Sequence, residues 1–340
     1  MAEVVTFGEI MLRLAPNGYY RFFQNDQMQA TFGGAEANVA AALAQFGVHS
    51  TYVTRLPSHA IGEAAVSALR AFGVDTSRVV RGGDRVGVYY LEKGASQRGS
   101  LCVYDRAHSA IAEAQSSDFD WDAIFAGADW FYFTGITPAL SPALAGICRD
   151  ACRAARAHGV KIACDLNYRE KLWTREAARE TMTELCAFVD LCIANNGQAK
   201  DIFGIEAPGA GGYGGEMDFA ASEYAARELC RRFGFETVAM TMRVSRSASD
   251  NDCAALLYDG KSFFRSRVYS VHIVDRVGGG DAFGAGLVYS FLTGRSPAGA
   301  VEFAAAADAF KHSVEGDVLR ASAAEIGRLA AGNGNGIIQR

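Results

Sequence analysis

Short β-rich runs alternate with helical patterns along most of the chain, and this alternation limits the possible folds more than any other feature. Val4–Leu12 reads as a strand, and Glu36–Phe46 as an Ala-rich helix ended by Gly47. Thr51–Thr54 is a strand, and Ile61–Phe72 a helix stopped by Gly73. The theme repeats as Trp130–Thr134 then Ser141–His158, Val160–Asp165 then Arg175–Ala187, and Leu191–Ala194 then Phe219–Phe233. Such a series predicts an α/β fold whose mostly parallel sheet is covered by helices on both faces. Two segments break the pattern. Tyr19–Phe32 and Val86–Tyr104 are rich in aromatic and β-branched residues with no helix between their strands. They are expected to form antiparallel strands outside the main sheet, as a small β lid spanning about 13–33 and 85–106. The glycine-rich stretch Gly204–Asp218 reads as a surface loop, or alternatively a linker, and the tail GNGNGIIQR as loosely packed.

A chain of 340 residues corresponds to about two average domains, but α/β folds of this size often form one large domain with a small accessory. The expectation is one domain over residues 1–340. Half the residues are hydrophobic and 21% are charged, which excludes a mainly disordered chain. With 33 Lys and Arg against 38 Asp and Glu, the net charge is −5. That argues against a general nucleic-acid binder but leaves room for a local basic pocket. No apolar run is long enough to span a membrane, and the start MAEVVTFGEIMLRL has no basic segment before an apolar one. Eight cysteines without a CxxC pair fit a reduced, cytoplasmic protein.

The chemistry concentrates in Ile273–Phe291, IVDRVGGGDAFGAGLVYSF. An apolar strand ends at Val274, and Gly278, Gly279 and Gly280 lead into a helix whose first turn carries Asp281. Glycines let backbone amides approach a ligand and point together. A helix N-terminus adds unpaired N–H donors, so the segment makes an anion site. A carboxylate beside a bound phosphoryl group can take a proton from an attacking hydroxyl. The pattern is neither a Walker A loop nor the dinucleotide fingerprint GxGxxG, because Phe283 stands where the last glycine belongs.

DRVGGGDAFGAG resembles the DTxGAGDxFxxG signature of ribokinase-like (phosphofructokinase-B-type) carbohydrate kinases. Gly33–Gly47, GGAEANVAAALAQFG, resembles the other signature of that family, GGxxxNxAxxxAxLG, about 240 residues earlier. The resemblance implies a ribokinase-like doubly wound α/β domain with a β lid, and phosphorylation of a sugar hydroxyl by ATP with Mg²⁺. It implies that Asp281 is the catalytic base and that Gly278, Gly279 and Gly280 form the anion hole, with Gly278 and Gly280 also contacting the nucleotide. Gly34 and Asn38 match sugar-contacting positions, and Thr241 and Arg243 fall in the adenine region. Arg276 departs from the Thr of the signature and Gly279 from its Ala. Asn195–Gln198, NNGQ, stands where the family often has NxxE, so the metal ligands are unknown.

FGEIMLRLAP at Phe7–Pro16, YDR at Tyr104–Arg106 and DLNYREKLW at Asp165–Trp173 resemble 2-keto-3-deoxygluconate kinases. In that subfamily, residues matching Tyr90, Tyr104, Arg106, Asn167 and Arg169 contact the acid sugar. The chemistry suits such a substrate, because Arg pairs bidentately with a carboxylate and Tyr closes over a sugar while donating a hydrogen bond. The expected partners are a small sugar acid, ATP and a second copy of the chain, with neither nucleic acid nor membrane. Within the class, a fructokinase or another ribokinase-like sugar kinase is the alternative. A sugar sensor without turnover is the alternative outside it.

Overall fold

The computed structural model describes residues 2–208 and 217–334. Much of the stretch Gly204–Asp218 and most of the tail lie outside the described residues. The strands are β1 (Glu3–Phe7), β2 (Met11–Pro16), β3 (Met28–Gly33), β4 (His49–Leu56), β5 (Val79–Arg81), β6 (Val88–Glu92) and β7 (Leu101–Asp105). They continue with β8 (Trp130–Thr134), β9 (Lys161–Asp165), β10 (Leu191–Ala194), β11 (Thr237–Ser245), β12 (Asp250–Tyr258), β13 (Phe263–Arg265) and β14 (Tyr269–His272). The helices are α1 (Ala35–Gln45), α2 (Ala60–Ala71), α3 (Trp121–Phe125), α4 (Pro142–Ala157), α5 (Arg175–Cys186), α6 (Asn196–Phe203), α7 (Phe219–Phe233), α8 (Gly279–Leu292), α9 (Pro297–Lys311) and α10 (Ala323–Ala330).

Among the described residues, the large sheet runs β13-β12-β11-β10-β9-β8-β1-β4-β5, with β14 also on β12. It is parallel from β11 to β5, and β12 to β14 pair antiparallel at one edge. Successive strand residues feed two cores. Val5, Phe7, Phe131 and Phe133 pack under α3–α7, while Val4, Tyr132 and Ala163 pack under α1, α8, α9 and α10. Burial on both faces is why these strands read as unbroken apolar runs. A third cluster seats α2 on Tyr52 and Leu56.

The small sheet has the order β3-β2-β6-β7. Three of its features differ from the sequence reading. The first strand does not run to Leu12. It ends at Phe7, and the chain crosses at Gly8–Ile10 into β2 of the small sheet. Buried Glu9 fixes this crossing, because it accepts from Ser109 Oγ at 2.6 Å and from the Arg106 guanidinium. The segment from Tyr19 turns before it becomes a strand at Met28, as Asn17, Gly18, Asn25 and Asp26 favour. Finally, β2 pairs parallel with β6, although β3 pairs antiparallel with β2 and β7 antiparallel with β6. Between β2 and β6 the chain builds β3, α1, β4, α2 and β5, the long crossover that parallel neighbours require.

A buried polar cluster joins the small sheet to the body. Arg13 on β2 donates to Asp275 at 2.5 Å and also to Asp317, and the Tyr89 hydroxyl donates to the same Asp317. All four side chains are buried.

Candidate active site

A cleft of about 1100 Å³ lies between the small sheet and the C-terminal ends of the parallel strands. Ligands of open α/β sheets bind at these ends. Of the helices α1, α2 and α4–α10, only α1 and α8 begin without a side-chain cap; both start at a glycine, Gly34 and Gly278, and both glycines line the cleft. The first-turn N–H groups of α8 are therefore available to an anion, at the positive end of the helix dipole.

The triple glycine has a steric basis. Gly278 has φ +87°, and a Cβ there would lie 1.8 Å from the Asp317 carbonyl oxygen. At Gly279 a Cβ would lie 2.4 Å from Asp308 Oδ1 and 2.6 Å from His312 Cε1. This explains the departure from GAGD, because Asp308 and His312 of the α9 end occupy the space an alanine methyl would need.

Asp281 follows in the first turn of α8. It accepts from Asn38 Nδ2 at 2.7 Å, and the Asn38 Oδ1 accepts from the Gly34 N–H at 3.4 Å. Burial, together with nearby Asp165, Glu36 and Asp317, pushes the Asp281 carboxyl up to about 7, against the lowering effect of the Asn38 bond. Asp165, at the end of β9, is also raised to about 7, mainly by burial, while Arg169 opposes the shift. A carboxyl poised near neutral pH can accept a proton from a hydroxyl.

Most of the expected residues converge on this cleft. Gly34, Asn38, Tyr104, Arg106, Asn167, Arg169, Thr241, Arg243 and Gly278 to Asp281 all line it. Tyr90 does not. Strand alternation puts Tyr90 on the far face of the small sheet with its register partners Leu14 and Val103, and brings Tyr89 to the cleft instead. Tyr89 and Tyr104 are direct cross-strand partners with ring centroids 6.0 Å apart. Counting by twos from Arg13 and Tyr104 identifies that face. Asn167 has φ +35° and donates its N–H to Asp165 Oδ1 at 3.0 Å.

The cleft arginines differ in their partners. Arg106 is tied to Glu9 and lies over the Tyr104 ring at 5.4 Å. Among the described residues Arg169 makes no direct ion pair, although its charge acts on Asp165; it donates to the adjacent Tyr168 carbonyl at 3.2 Å. Arg243 and Arg276, near the triple glycine, also make no ion pair among the described residues. Thr241 Oγ1 donates to the Ala194 carbonyl at 3.4 Å. Asn195 and Gln198 cap α6 reciprocally, at 2.9 and 3.0 Å, so Gln198 has a structural role there. Among the described residues, the one cluster of metal-ligating type, Cys253, Asp308 and His312, offers sulfur, oxygen and nitrogen. That donor set does not suit Mg²⁺, which prefers oxygen ligands and substrate phosphates.

The model of the pfkB family carbohydrate kinases matches residues 1–321. A 2-dehydro-3-deoxygalactonokinase of Haloferax volcanii is 32% identical over 338 residues, covering 99% of each chain. A 2-dehydro-3-deoxygluconokinase of Bacillus subtilis is 26% identical, over 93% of this chain and 91% of its own. The crystal structure of 2-dehydro-3-deoxygluconokinase from Thermotoga maritima superposes with a TM-score of 0.94 at 47% identity, covering 97% of this chain and 98% of the other. Taken with the cleft, the uncapped α8 and the half-buried carboxyl in its first turn, these matches establish that the chain belongs to the pfkB family of carbohydrate kinases.

Proposed function

We propose that this kinase transfers the γ-phosphoryl group of MgATP to the 6-hydroxyl of 2-keto-3-deoxygluconate, also called 2-dehydro-3-deoxygluconate. The observation that carries the reading is the placement of Asp281 and the open α8 N-terminus in one cleft with Arg169, which lies near Asp165 but forms no direct ion pair among the described residues. Asp281 takes the hydroxyl proton as the oxygen attacks phosphorus, the bond to the β-phosphate oxygen breaks, and ADP leaves. The N–H groups of Gly278, Gly279 and Gly280 stabilise charge on the transferring oxygens. Magnesium enters as part of the MgATP substrate, neutralising phosphate charge. Arg169 pairs with the sugar carboxylate, Tyr104 and Tyr89 close over the sugar, and Thr241 and Arg243 lie on the nucleotide side.

The names of the three similar proteins above support an acid-sugar acceptor, and the galactono and glucono names among them differ at C4. The chain acts as one kinase unit with its small sheet as lid. A cytoplasmic location agrees with eight free cysteines. Among the described residues no helix is long and apolar enough to cross a membrane. The test is ADP release over a panel of 2-keto-3-deoxygluconate, its C4 epimer, fructose and ribose. A kcat/KM for either acid sugar well above that for both neutral sugars is expected. Equal or better turnover of fructose overturns the acid-sugar assignment.

A further inference from the structure

Arg276 is the least expected residue leading into the GGGD segment, and among the described residues it forms no ion pair. It is half-buried on the cleft wall two residues before Gly278, and its Nη2 donates to the Ala248 carbonyl at 3.3 Å. Arg243 on β11 faces the same cleft. Burial and the Arg243 charge lower the Arg276 pKa, so the two guanidiniums repel one another. Of the nearby cleft carboxylates, Asp317 is bonded to Arg13 and Tyr89, Asp281 to Asn38, and Asp308 is turned toward Cys253 and His312, with His312 Nδ1 3.6 Å from its Oδ1. Two neighbouring cations that form no ion pair among the described residues, beside helix N–H groups that also lack a cap, make an arrangement that an anion would complete.

At the NNGQ turn the same cleft has an amide where the family often has a carboxylate. Gln198 is neutral and committed to the α6 cap, so α6 contributes no carboxylate at that turn to a metal's water shell.

We propose that Arg276 and Arg243 are a phosphate clamp for the β- and γ-phosphates of the nucleotide, supplying from the protein part of the charge neutralisation that magnesium otherwise provides alone. This rests on the kinase reading above and adds a residue to it. Arg276 holds non-bridging oxygens in the planar fork that a guanidinium offers, and Arg243 meets the same group from β11. The clamp acts on the polyphosphate and not on the sugar.

The test is calorimetric binding of ATP and of AMP to the full chain, without sugar, for the wild type, Arg276→Thr, Arg276→Lys and Arg243→Gln. It is paired with ATP turnover across a magnesium titration. Loss of one charged hydrogen bond corresponds to roughly 10-fold to 10²-fold in affinity. Arg276→Thr should weaken ATP by at least about 10-fold on that scale, leave AMP within about 2-fold, and raise the magnesium concentration for half-maximal rate. Arg276→Lys should recover part of the ATP affinity, and Arg243→Gln should show the same ATP selectivity. Unchanged ATP affinity and magnesium dependence in Arg276→Thr overturn the clamp and leave the kinase reading standing. Equal losses for ATP and AMP also overturn it, because they report a damaged fold. A wild type that binds no ATP overturns the nucleotide reading and the clamp with it.

Discussion

Asn38 donates its side-chain amide to Asp281 across 243 residues of chain, at 2.7 Å. The first turns of α1 and α8 are thereby joined at the carboxyl proposed to take the proton. Asp281→Asn keeps the shape and can still accept from Asn38, but it has no basic oxygen. We expect kcat to fall by at least about 10²-fold, the scale of a lost general base, with sugar affinity changed far less. The same substitution should stabilise the fold at alkaline pH. The folded Asp281 holds its proton to about pH 7 while an unfolded Asp releases it near 3.9, so this group's contribution to stability falls as pH rises between those values. The variant should therefore show a Tm a few degrees above the wild type at pH 8, and the gap should close toward pH 4. Thermal scans at both values check this.

The raised carboxyls also set a pH profile. Proton abstraction needs Asp281 ionised, so kcat should fall as pH drops through about 7. Asp165 titrates in the same range and the two carboxyls interact, so the apparent value belongs to the pair. Asp165→Asn removes a neighbouring negative charge and should shift the acidic limb to lower pH. A pH–rate series on the two proteins measures the shift, and identical limbs would show that Asp165 does not face the base electrostatically.

Arg169 separates acid from neutral sugars. A charged hydrogen bond contributes roughly 1.5–3 kcal/mol, so Arg169→Ala should raise KM for 2-keto-3-deoxygluconate by about 10²-fold or more if both arms of a bidentate pair are lost. Arg169→Lys should recover only part of this, since the fork is gone. Turnover of fructose has no carboxylate to lose. The readout is the kcat/KM ratio of acid sugar to fructose in each protein, and a constant ratio would falsify the carboxylate role.

The far face of the small sheet carries Leu12, Leu14, Val88, Tyr90, Leu101 and Val103, with Leu101 and Val103 each 47% exposed. The same face carries Glu92 opposite Leu101 and Asp105 opposite Val88, and an apolar patch with a polar rim of this kind marks an interaction surface. We expect a second copy to cover it, giving at least a dimer by light scattering at micromolar concentration. Leu101→Glu combined with Val103→Glu should shift the mass to a monomer. A monomeric wild type would reject the expectation.

The sequence revealed the doubly wound body because its strands are buried on both faces and its helices end at glycines such as Gly47 and Gly73. The two motifs likewise identified Asp281, Asn38 and the glycines, because local backbone geometry demands those residue types. Tyr89 was missed and Tyr90 chosen because a strand flanked by turns does not announce its face without its partners' register. The Arg13–Asp275–Asp317 cluster was not legible at all, since its members lie 262 and 304 residues apart and have no local pattern. The elevated carboxyls of Asp165 and Asp281 likewise arise from burial, which only the assembled fold creates. Arg106, expected from the resemblance to contact the acid sugar, does line the cleft, but its pairing with Glu9, 97 residues away, was not legible in the sequence.

Asp317 touches both halves of the cleft. Its carboxylate receives Arg13 and Tyr89 from the small sheet, while its carbonyl abuts Gly278 so closely that no side chain could fit there. The sugar side and the phosphate side thus share one abutment. Moving the small sheet outward to admit a bulkier acceptor would drag the floor beneath the phosphates. Acceptor preference in this scaffold is therefore free to change through side chains that end in the cleft, such as Tyr104 and Arg169, and is held fixed against any change that requires the sheet itself to be displaced.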